Sequence, residues 1–108
     1  MKIIVAGGGK VGSVLVRQLT EEGHEVTIID KSGDVLENLM QEYDVISVQG
    51  NAASMDVLKE AGIRNTELLI AATDMDEVNL LTCLSANSLN PPCIRLPVSV
   101  TMITAVRH

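Results

Sequence analysis

Aromatic residues are nearly absent from this chain of 108 residues, which has no phenylalanine or tryptophan and one tyrosine, Tyr43. The core must therefore be built from aliphatic side chains, which dominate the 46% hydrophobic fraction. That fraction excludes a disordered chain, and an aliphatic core suits a parallel sheet that helices cover on both faces. The length corresponds to a single domain.

Positive charge is also scarce, because 8 Lys and Arg stand against 14 Asp and Glu, giving a net charge of −6. An acidic surface repels phosphate backbones and anionic headgroups, so neither nucleic acid nor a membrane surface is an expected partner. The longest C-terminal apolar stretch, 96–106, is too short to span a bilayer, and no signal peptide is visible. We therefore expect a cytoplasmic chain without direct membrane insertion.

Residues that carry catalytic or metal chemistry are few. Cys83 and Cys93 show neither metal-ligand nor C-x-x-C spacing. They are predicted to be reduced, mostly buried thiols. The two histidines are His24, in a predicted solvated turn, and the last residue, His108. No Cys–His, Ser–His or metal-ligand cluster is present, so an enzyme is not expected and no metal is predicted.

Apolar runs alternate along the chain with segments of helical periodicity. Strands are predicted at 2–6, 25–30, 45–48, 68–72 and 93–96, and helices at about 11–22, 33–42, 54–61 and 75–88. The segment 98–106 is either a further strand or a disordered end. This alternation predicts an α/β fold, a Rossmann-type doubly wound parallel sheet in a single domain with right-handed crossovers.

A glycine-rich loop directly follows the first strand. Gly7, Gly9 and Gly12 have the spacing G-x-G-x-x-G, and Asp30 ends the second strand. Gly7 permits a tight turn, Gly9 lets a pyrophosphate approach the backbone, and Gly12 lets the helix pack on the strand. The free N–H groups at the helix start would face the phosphates, while Asp30 would bind the ribose hydroxyls. The alternative is a glycine turn needed only for packing.

The predicted ligand is NAD(H), bound by the whole loop together with the residues after the second strand. Within the loop, Gly8, Lys10 and Val11 are predicted to contact the ligand in addition to the three motif glycines. At the end of the second strand, Lys31 is predicted to contact it in addition to Asp30. Because Asp30 would repel a 2′-phosphate, NAD is favoured over NADP, although Lys31 weakens that preference. These residues contact only the adenosine diphosphate half, which ATP and ADP share, so those nucleotides are alternatives.

Several longer motifs resemble one family. They are Val5-Ala-Gly-Gly-Gly-Lys-Val-Gly12, Ile28-Ile-Asp-Lys31, Gly50-Asn-Ala-Ala-Ser54, Val57-Leu-Lys-Glu-Ala-Gly62 and Leu69-Ile-Ala-Ala-Thr-Asp-Met-Asp-Glu-Val-Asn-Leu80. Through them, the chain from residue 1 to about 87 resembles the RCK domain, also called the KTN or Trk-type nucleotide-binding domain. Domains of this family regulate potassium channels and potassium-uptake systems.

The resemblance implies further residues that contact the ligand. Asn51 and Ala52 would lie against adenine. The end of the fourth strand and the next helix start would add residues near the phosphates or the nicotinamide ribose, namely Ala72, Thr73, Asp74 and Glu77, with Asn79 at a matching polar position. The carboxyl ends of parallel strands favour the same placement. For Asp76 and Glu77, a favourable interaction with the helix dipole is an equal alternative.

Beyond residue 88 the resemblance weakens, and the C-terminal part from about 89 is atypical. The family pattern has an arginine that faces phosphate in this region. Either Arg95 or Arg107 could supply this arginine, so both are candidates.

The resemblance implies a cytoplasmic regulatory domain, peripheral to the membrane through its partner, that gates a potassium transporter or channel subunit by ligand-dependent domain rearrangement. The predicted helix at 75–88 is apolar over a wide arc, so it faces a partner chain in a homo-oligomer, dimer or higher, or is buried in the core. The cofactor domain of an NAD-dependent dehydrogenase is the alternative function. A methyltransferase-like or purely structural Rossmann domain is a third.

Overall fold

A computed structural model describes residues 1–87, 89 and 92–96. The strands are β1 (Lys2–Ala6), β2 (Glu25–Asp30), β3 (Ile46–Gln49), β4 (Leu68–Ala71) and β5 (Cys93–Arg95). The α-helices are α1 (Lys10–Glu21), α2 (Gly33–Glu42), α3 (Met55–Glu60) and α4 (Asp76–Asn87), with a 3₁₀ turn at Ile63–Asn65. The strands form one parallel sheet in the order β3-β2-β1-β4-β5. This is the predicted Rossmann-like α/β fold.

The first strand is the centre of the sheet. Ile3 pairs with Val26 of β2 on one side and with Leu68 of β4 on the other. Its side chains alternate between two aliphatic core clusters, with Ile3 in one and Ile4 in the other. Both clusters are buried, so the sheet is covered on both faces, as the aliphatic composition predicts.

Each face of the sheet has its own helices. Val16 of α1 and Leu36 of α2 pack into the cluster that contains Ile3. Leu58 of α3 and Ala86 of α4 pack into the cluster that contains Ile4. The chain thus places α1 and α2 on one face and α3 and α4 on the other, which is the doubly wound arrangement.

Most element boundaries agree with the predictions to within one or two residues. Ser54 caps α3, since its hydroxyl accepts a hydrogen bond from the Val57 N–H at 3.5 Å. The predicted helix at 54–61 ends one residue early and is followed by the 3₁₀ turn. The predicted segment 98–106 lies outside the described residues. Within the part of the chain that the structure describes, no helix has the length and hydropathy of a membrane span.

The prediction of two reduced thiols is wrong for this structure, in which Cys83 and Cys93 form a disulfide. Cys83 lies on α4 and Cys93 on the edge strand β5, and their Cα atoms are 5.4 Å apart. That separation suits a disulfide because α4 packs directly beside β5. The contact is tertiary, so the spacing of the two cysteines in the sequence gave no sign of it.

Reduction of this disulfide should lower the stability of the domain. The two cysteines are 10 residues apart, and opening a loop of that size costs about 2–3 kcal/mol. The melting temperature should therefore fall by roughly 10 °C when thermal unfolding is followed in a reductant. A double variant, Cys83→Ser with Cys93→Ser, should melt like the reduced protein and ignore the reductant. Equal melting of wild type with and without reductant would contradict the prediction.

Candidate functional site

The carboxyl ends of β1, β2, β3 and β4 open onto one cavity of about 540 Å³, a size typical of small-molecule sites. Most of the predicted ligand-binding residues line it: Gly7, Gly9, Lys10, Val11, Asp30, Lys31, Asn51, Ala52, Ala72, Thr73 and Asp74. They come from four separate loops. The fold therefore brings together in space what the sequence distributes over more than sixty positions.

The glycine loop forms the centre of this cavity. Gly7 has a φ of +104°, and its N–H donates to the Ile29 carbonyl at 2.8 Å. A Cβ at Gly7 would lie 2.8 Å from the Ala72 carbonyl oxygen, so glycine is required there by the protein itself. Gly9 differs, because a Cβ built on it meets no atom within 4 Å. Only a bound ligand could make a side chain at Gly9 unfavourable.

Helix α1 begins at the cavity with its backbone donors free. Gly9 is its N-cap and makes no side-chain cap, and no acidic residue stands in the first turn of this described helix. The first hydrogen bond across this start is donated by the Ser13 N–H to the Gly9 carbonyl at 2.8 Å. The preceding N–H groups, those of Lys10, Val11 and Gly12, have no acceptor within the helix. Such a helix start attracts an anion, phosphate in particular.

Asp30 lies half-buried beside this helix start and organises two loops. One carboxylate oxygen accepts from the Gly8 N–H at 2.7 Å, and the other accepts from the Ser32 N–H at 2.8 Å. The sequence predicted Asp30 as a ribose ligand but not as a link between the glycine loop and the start of α2. A carboxylate oxygen has more than one lone pair, so Asp30 can still accept from ribose hydroxyls.

The loop after β3 forms the wall beyond Asp30. Gly50 is joined to β2 by its N–H, which donates to the Asp30 carbonyl at 2.9 Å. The side-chain oxygen of Asn51 accepts from the Ala53 N–H at 2.9 Å, which fixes a local turn. Ala52 is buried against the sheet.

The opposite wall is the loop between β4 and α4. Thr73 lines the cavity, and its backbone and hydroxyl are bonded to the side chain of Asn79. Asp74 is exposed at the rim. On the other side of the opening stand the exposed side chains of Lys10 and Lys31. The two ammonium groups add positive charge beside the helix start, where a diphosphate would lie.

Three predicted residues do not line the cavity. Gly8 is buried behind the loop, Gly12 packs against Gly7, and Glu77 is exposed in the first turn of α4. The packing role predicted for Gly12 agrees with its position, since a Cβ there would overlap the Gly7 carbonyl oxygen. Arg95, the last residue of β5, is exposed and does not line the cavity either. Arg107 lies outside the described residues.

Six lining residues were missed in the sequence: Ile29, Ser32, Val35, Gly50, Met75 and Val78. Ile29, Ser32 and Gly50 adjoin predicted residues, so strand ends alone could have suggested them. Val35 and Val78 are the first apolar residues of the helices that follow β2 and β4, a signal that periodicity assigned to the core. Together they make the cavity wall largely aliphatic.

Among the described residues, neither histidine nor cysteine lines this cavity. His24 lies in the turn before β2, at the opposite edge of the sheet, where its Nε2 is 3.7 Å from an oxygen of Glu22. No group of three or more His, Cys, Asp or Glu in the described part of the chain could hold a metal ion. The lining instead combines free backbone donors at a helix start, a carboxylate and aliphatic side chains, a set of groups that suits an anionic organic ligand.

Comparison with known proteins identifies relatives over nearly the whole chain. The model of the TrkA-N domain family matches residues 3–104. The Trk system potassium uptake protein TrkA of Vibrio alginolyticus is 42% identical over 89 residues, which are 82% of this chain and 19% of that protein. A TrkA homolog from Methanothermobacter thermautotrophicus is 36% identical over 99 residues, or 92% of this chain and 46% of that protein. The chain thus spans less than half the length of both relatives.

Solved structures with the same fold include nucleotide complexes. The Kef CTD of Shewanella denitrificans in an AMP-bound form has a TM-score of 0.75 at 27% identity, over 88% of this chain and 57% of that one. The TrkA-N domain of the inner membrane protein ybaL from Escherichia coli has a TM-score of 0.79 at 22% identity, over 98% of this chain and 81% of that one. The GsuK channel bound to NAD has a TM-score of 0.75 at 19% identity, over 97% and 20%. The last two show the fold alone.

Proposed function

Because this chain belongs to the TrkA-N domain family, we propose that it is a regulatory domain that binds NAD(H) and controls potassium transport. The observation that carries the proposal is the start of α1, where free backbone N–H groups, the open space at Gly9 and the carboxylate of Asp30 meet in one cavity. A helix start attracts the diphosphate, and the carboxylate holds the adjoining sugar.

The strand order supports one orientation of the nucleotide in the cavity. The pyrophosphate is at the end of β1, the central strand, beside the start of α1. Asp30 of β2 and Asn51 after β3 lie to one side of β1, so they contact the adenosine. The nicotinamide end then extends to the other side, toward Thr73 after β4. The AMP-bound form of the Shewanella relative, at 27% identity, supports an adenine nucleotide as the ligand.

The site favours NAD(H), while ATP and ADP share the half that it contacts most closely. Isothermal titration of the purified protein with NAD, NADH, NADPH, AMP, ADP and ATP tests the proposal directly. We expect dissociation constants for NAD(H) in roughly the micromolar range. Absence of binding heat for every nucleotide, with a folded sample by circular dichroism, would overturn the proposal.

Asp30→Asn should change the choice between NADH and NADPH. The variant keeps the size of the side chain but removes the negative charge that would bind ribose hydroxyls and repel a 2′-phosphate. Its Nδ2 cannot accept from Gly8 or Ser32, so one of those bonds is also lost and the ratio of the two affinities is the decisive readout. Since a hydrogen bond to a charged group contributes about 1.5–3 kcal/mol, we expect NADH affinity to fall by about tenfold or more. NADPH affinity should fall less or rise, so the ratio of NADH affinity to NADPH affinity should decrease.

Asp34→Asn is the matched control for this variant. Asp34 is an exposed acid in the first turn of α2 and does not line the cavity. It makes the same acid-to-amide change nearby and should leave both affinities as in wild type. An Asp30→Asn protein that keeps the wild-type ratio of NADH to NADPH affinity would remove the ribose role of Asp30.

A regulatory role requires that ligand binding in the cavity change a surface that contacts another protein chain. Helix α4 is suited to this role. Its buried side is polar or small, with Asn79, Thr82 and Ala86, whereas large apolar residues are exposed on the outside. Leu81 and Leu84 are 51% and 59% exposed. Core burial, one of the two alternatives for this helix, therefore does not hold for these leucines. We assign them to contact with a second copy in a dimer or higher oligomer.

The inner side of α4 contacts both walls of the cavity. Asn79 bonds Thr73, and the Ser85 hydroxyl donates to the carbonyl of Ala53 at 2.9 Å. A ligand that holds both walls would favour one placement of α4, and with it one arrangement of paired domains. Unequal affinity for two arrangements is sufficient to shift their populations. In the proposed function this shift gates a membrane potassium transporter or channel, with the domain in the cytoplasm.

A further inference from the structure

The side chain of Asn79 is nearly inaccessible, with 1% of its surface exposed, although it is polar and lies in the first turns of α4. Its oxygen Oδ1 accepts from the Thr73 N–H at 2.9 Å and from the Thr73 hydroxyl at 2.6 Å. Its Nδ2 donates to the Thr73 carbonyl at 3.2 Å and to the Leu96 carbonyl at 3.0 Å. An amide has two donors and two acceptor lone pairs, so its hydrogen-bonding capacity is filled.

Three of these four bonds go to one residue, and that residue lines the cavity. Thr73 follows β4 directly, and its hydroxyl also accepts from the Met75 N–H at 3.3 Å. The backbone N–H, the carbonyl and the hydroxyl of Thr73 are thus all directed by Asn79. A single buried side chain fixes the conformation of this cavity wall.

The fourth bond extends the same control to the edge of the sheet. Leu96 follows β5, and its own N–H donates to the Ala71 carbonyl at 2.9 Å. Asn79 therefore joins the loop after β4 to the residue after β5. Both lie on the side of β1 away from Asp30 and Asn51. In the binding mode proposed above, this is where the part of a dinucleotide beyond the adenosine monophosphate lies.

We propose that Asn79 is a positioning residue that holds Thr73 so that the cavity accepts the second half of a dinucleotide. This inference rests on the proposed function and adds a division of labour within the site. Residues after β2 and β3 hold the adenosine, and Asn79, without contacting the ligand, sets affinity for the remainder. A loosened Thr73 loop should then affect NAD far more than AMP.

The experiment compares NAD and AMP binding to wild type, Asn79→Ala and Thr82→Val by isothermal titration. Thr82 is fully buried one turn further along α4, where its hydroxyl donates to the Val78 carbonyl at 2.7 Å. It does not line the cavity, so Thr82→Val removes a buried hydrogen bond of the same helix and serves as the matched control.

For Asn79→Ala we expect NAD affinity to fall by about tenfold, with AMP affinity changed by less than about twofold. Thr82→Val should leave the ratio of the two affinities as in wild type. An equal loss for NAD and AMP, or no loss for either, would overturn the inference, because only a specific effect on Thr73 separates the two ligands. A wild-type protein that binds neither ligand would instead overturn the proposed function itself.

Should Asn79→Ala fail to fold, Thr73→Val supplies the same test, because it removes the Thr73 donor of the 2.6 Å bond to Asn79. It removes the hydroxyl that Asn79 accepts from, in a loop that is half-exposed. We expect NAD to weaken more than AMP again, whereas Thr73→Ser, which retains the hydroxyl, should restore the wild-type ratio. Equal ratios in Thr73→Val and wild type would count against the inference.

Discussion

Gly9→Ala should weaken NAD(H) binding by about 100-fold, equivalent to about 2.8 kcal/mol, with a loss of stability limited to the change of helix cap, about 0.5–1 kcal/mol. A Cβ at Gly9 meets no protein atom within 4 Å, and the residue has an ordinary φ of −71°. The added methyl group would instead occupy the opening in front of the free N–H groups of α1, where the pyrophosphate should lie. Titration calorimetry measures the affinity, and the melting temperature should fall by no more than about 5 °C.

Gly33→Ala is the control for this prediction. Gly33 also stands at the start of a helix, α2, but does not line the cavity, and its new Cβ would be 3.3 Å from the flexible end of Gln49. Wild-type affinity is expected for this variant. Undiminished NAD(H) binding by Gly9→Ala would mean that the phosphates do not approach this backbone, and the central feature of the proposed site would be lost.

Gly12→Ala should have the opposite signature, a large loss of stability. A Cβ at Gly12 would overlap the carbonyl oxygen of Gly7, which is backbone and cannot move aside without shifting β1 or α1. Overpacking costs typically 1–3 kcal/mol, and overlap with backbone places this variant at about 3 kcal/mol or more. Thermal unfolding by circular dichroism should show a fall of at least roughly 12 °C.

The contrast with Gly9→Ala makes this second result informative. The same methyl group is added three residues away, and helix propensity alone would make alanine better tolerated at Gly12, inside α1, than at Gly9, the N-cap. A Gly12→Ala protein that melts near wild type would contradict the close approach of α1 to β1. The two expected results would separate the two glycines of one motif, Gly9 by its effect on ligand binding and Gly12 by its effect on packing.

Local chemistry was sufficient to predict the fold and the part of the cavity formed by the glycine loop and Asp30, whereas the residues after β3 and β4 were predicted through the family resemblance. The aliphatic runs around Ile3 and Ile28 could only be buried strands, and glycine with Asp30 at the strand ends indicated the edge at which they converge. These signals are encoded within a few residues of one another. The carboxyl ends of parallel strands lie at the same edge of a sheet, so these residues were expected to lie close together in space.

The remainder depends on contacts between distant segments, which periodicity does not report. The Cys83–Cys93 disulfide needs α4 beside β5, and the bonds of Asn79 need the ends of β4 and β5 to meet at one helix. The sequence predicted that α4 is apolar over a wide arc. It did not show that the buried side of α4 carries polar residues such as Thr82, whose hydroxyl is hydrogen-bonded within the helix. Only the assembled structure distinguishes an inner from an outer face.

The central position of β1 also constrains how the polypeptide acquires its structure during synthesis. Strand β1 is synthesised before both of its neighbours, β2 and β4, and the second of these ends only at Ala71. Until then one edge of β1 presents unpaired backbone groups, with aliphatic side chains that β4 and the later helices normally cover. A nascent chain that pauses before residue 71 is therefore open to intermolecular strand pairing, and chaperone protection is needed most over this interval.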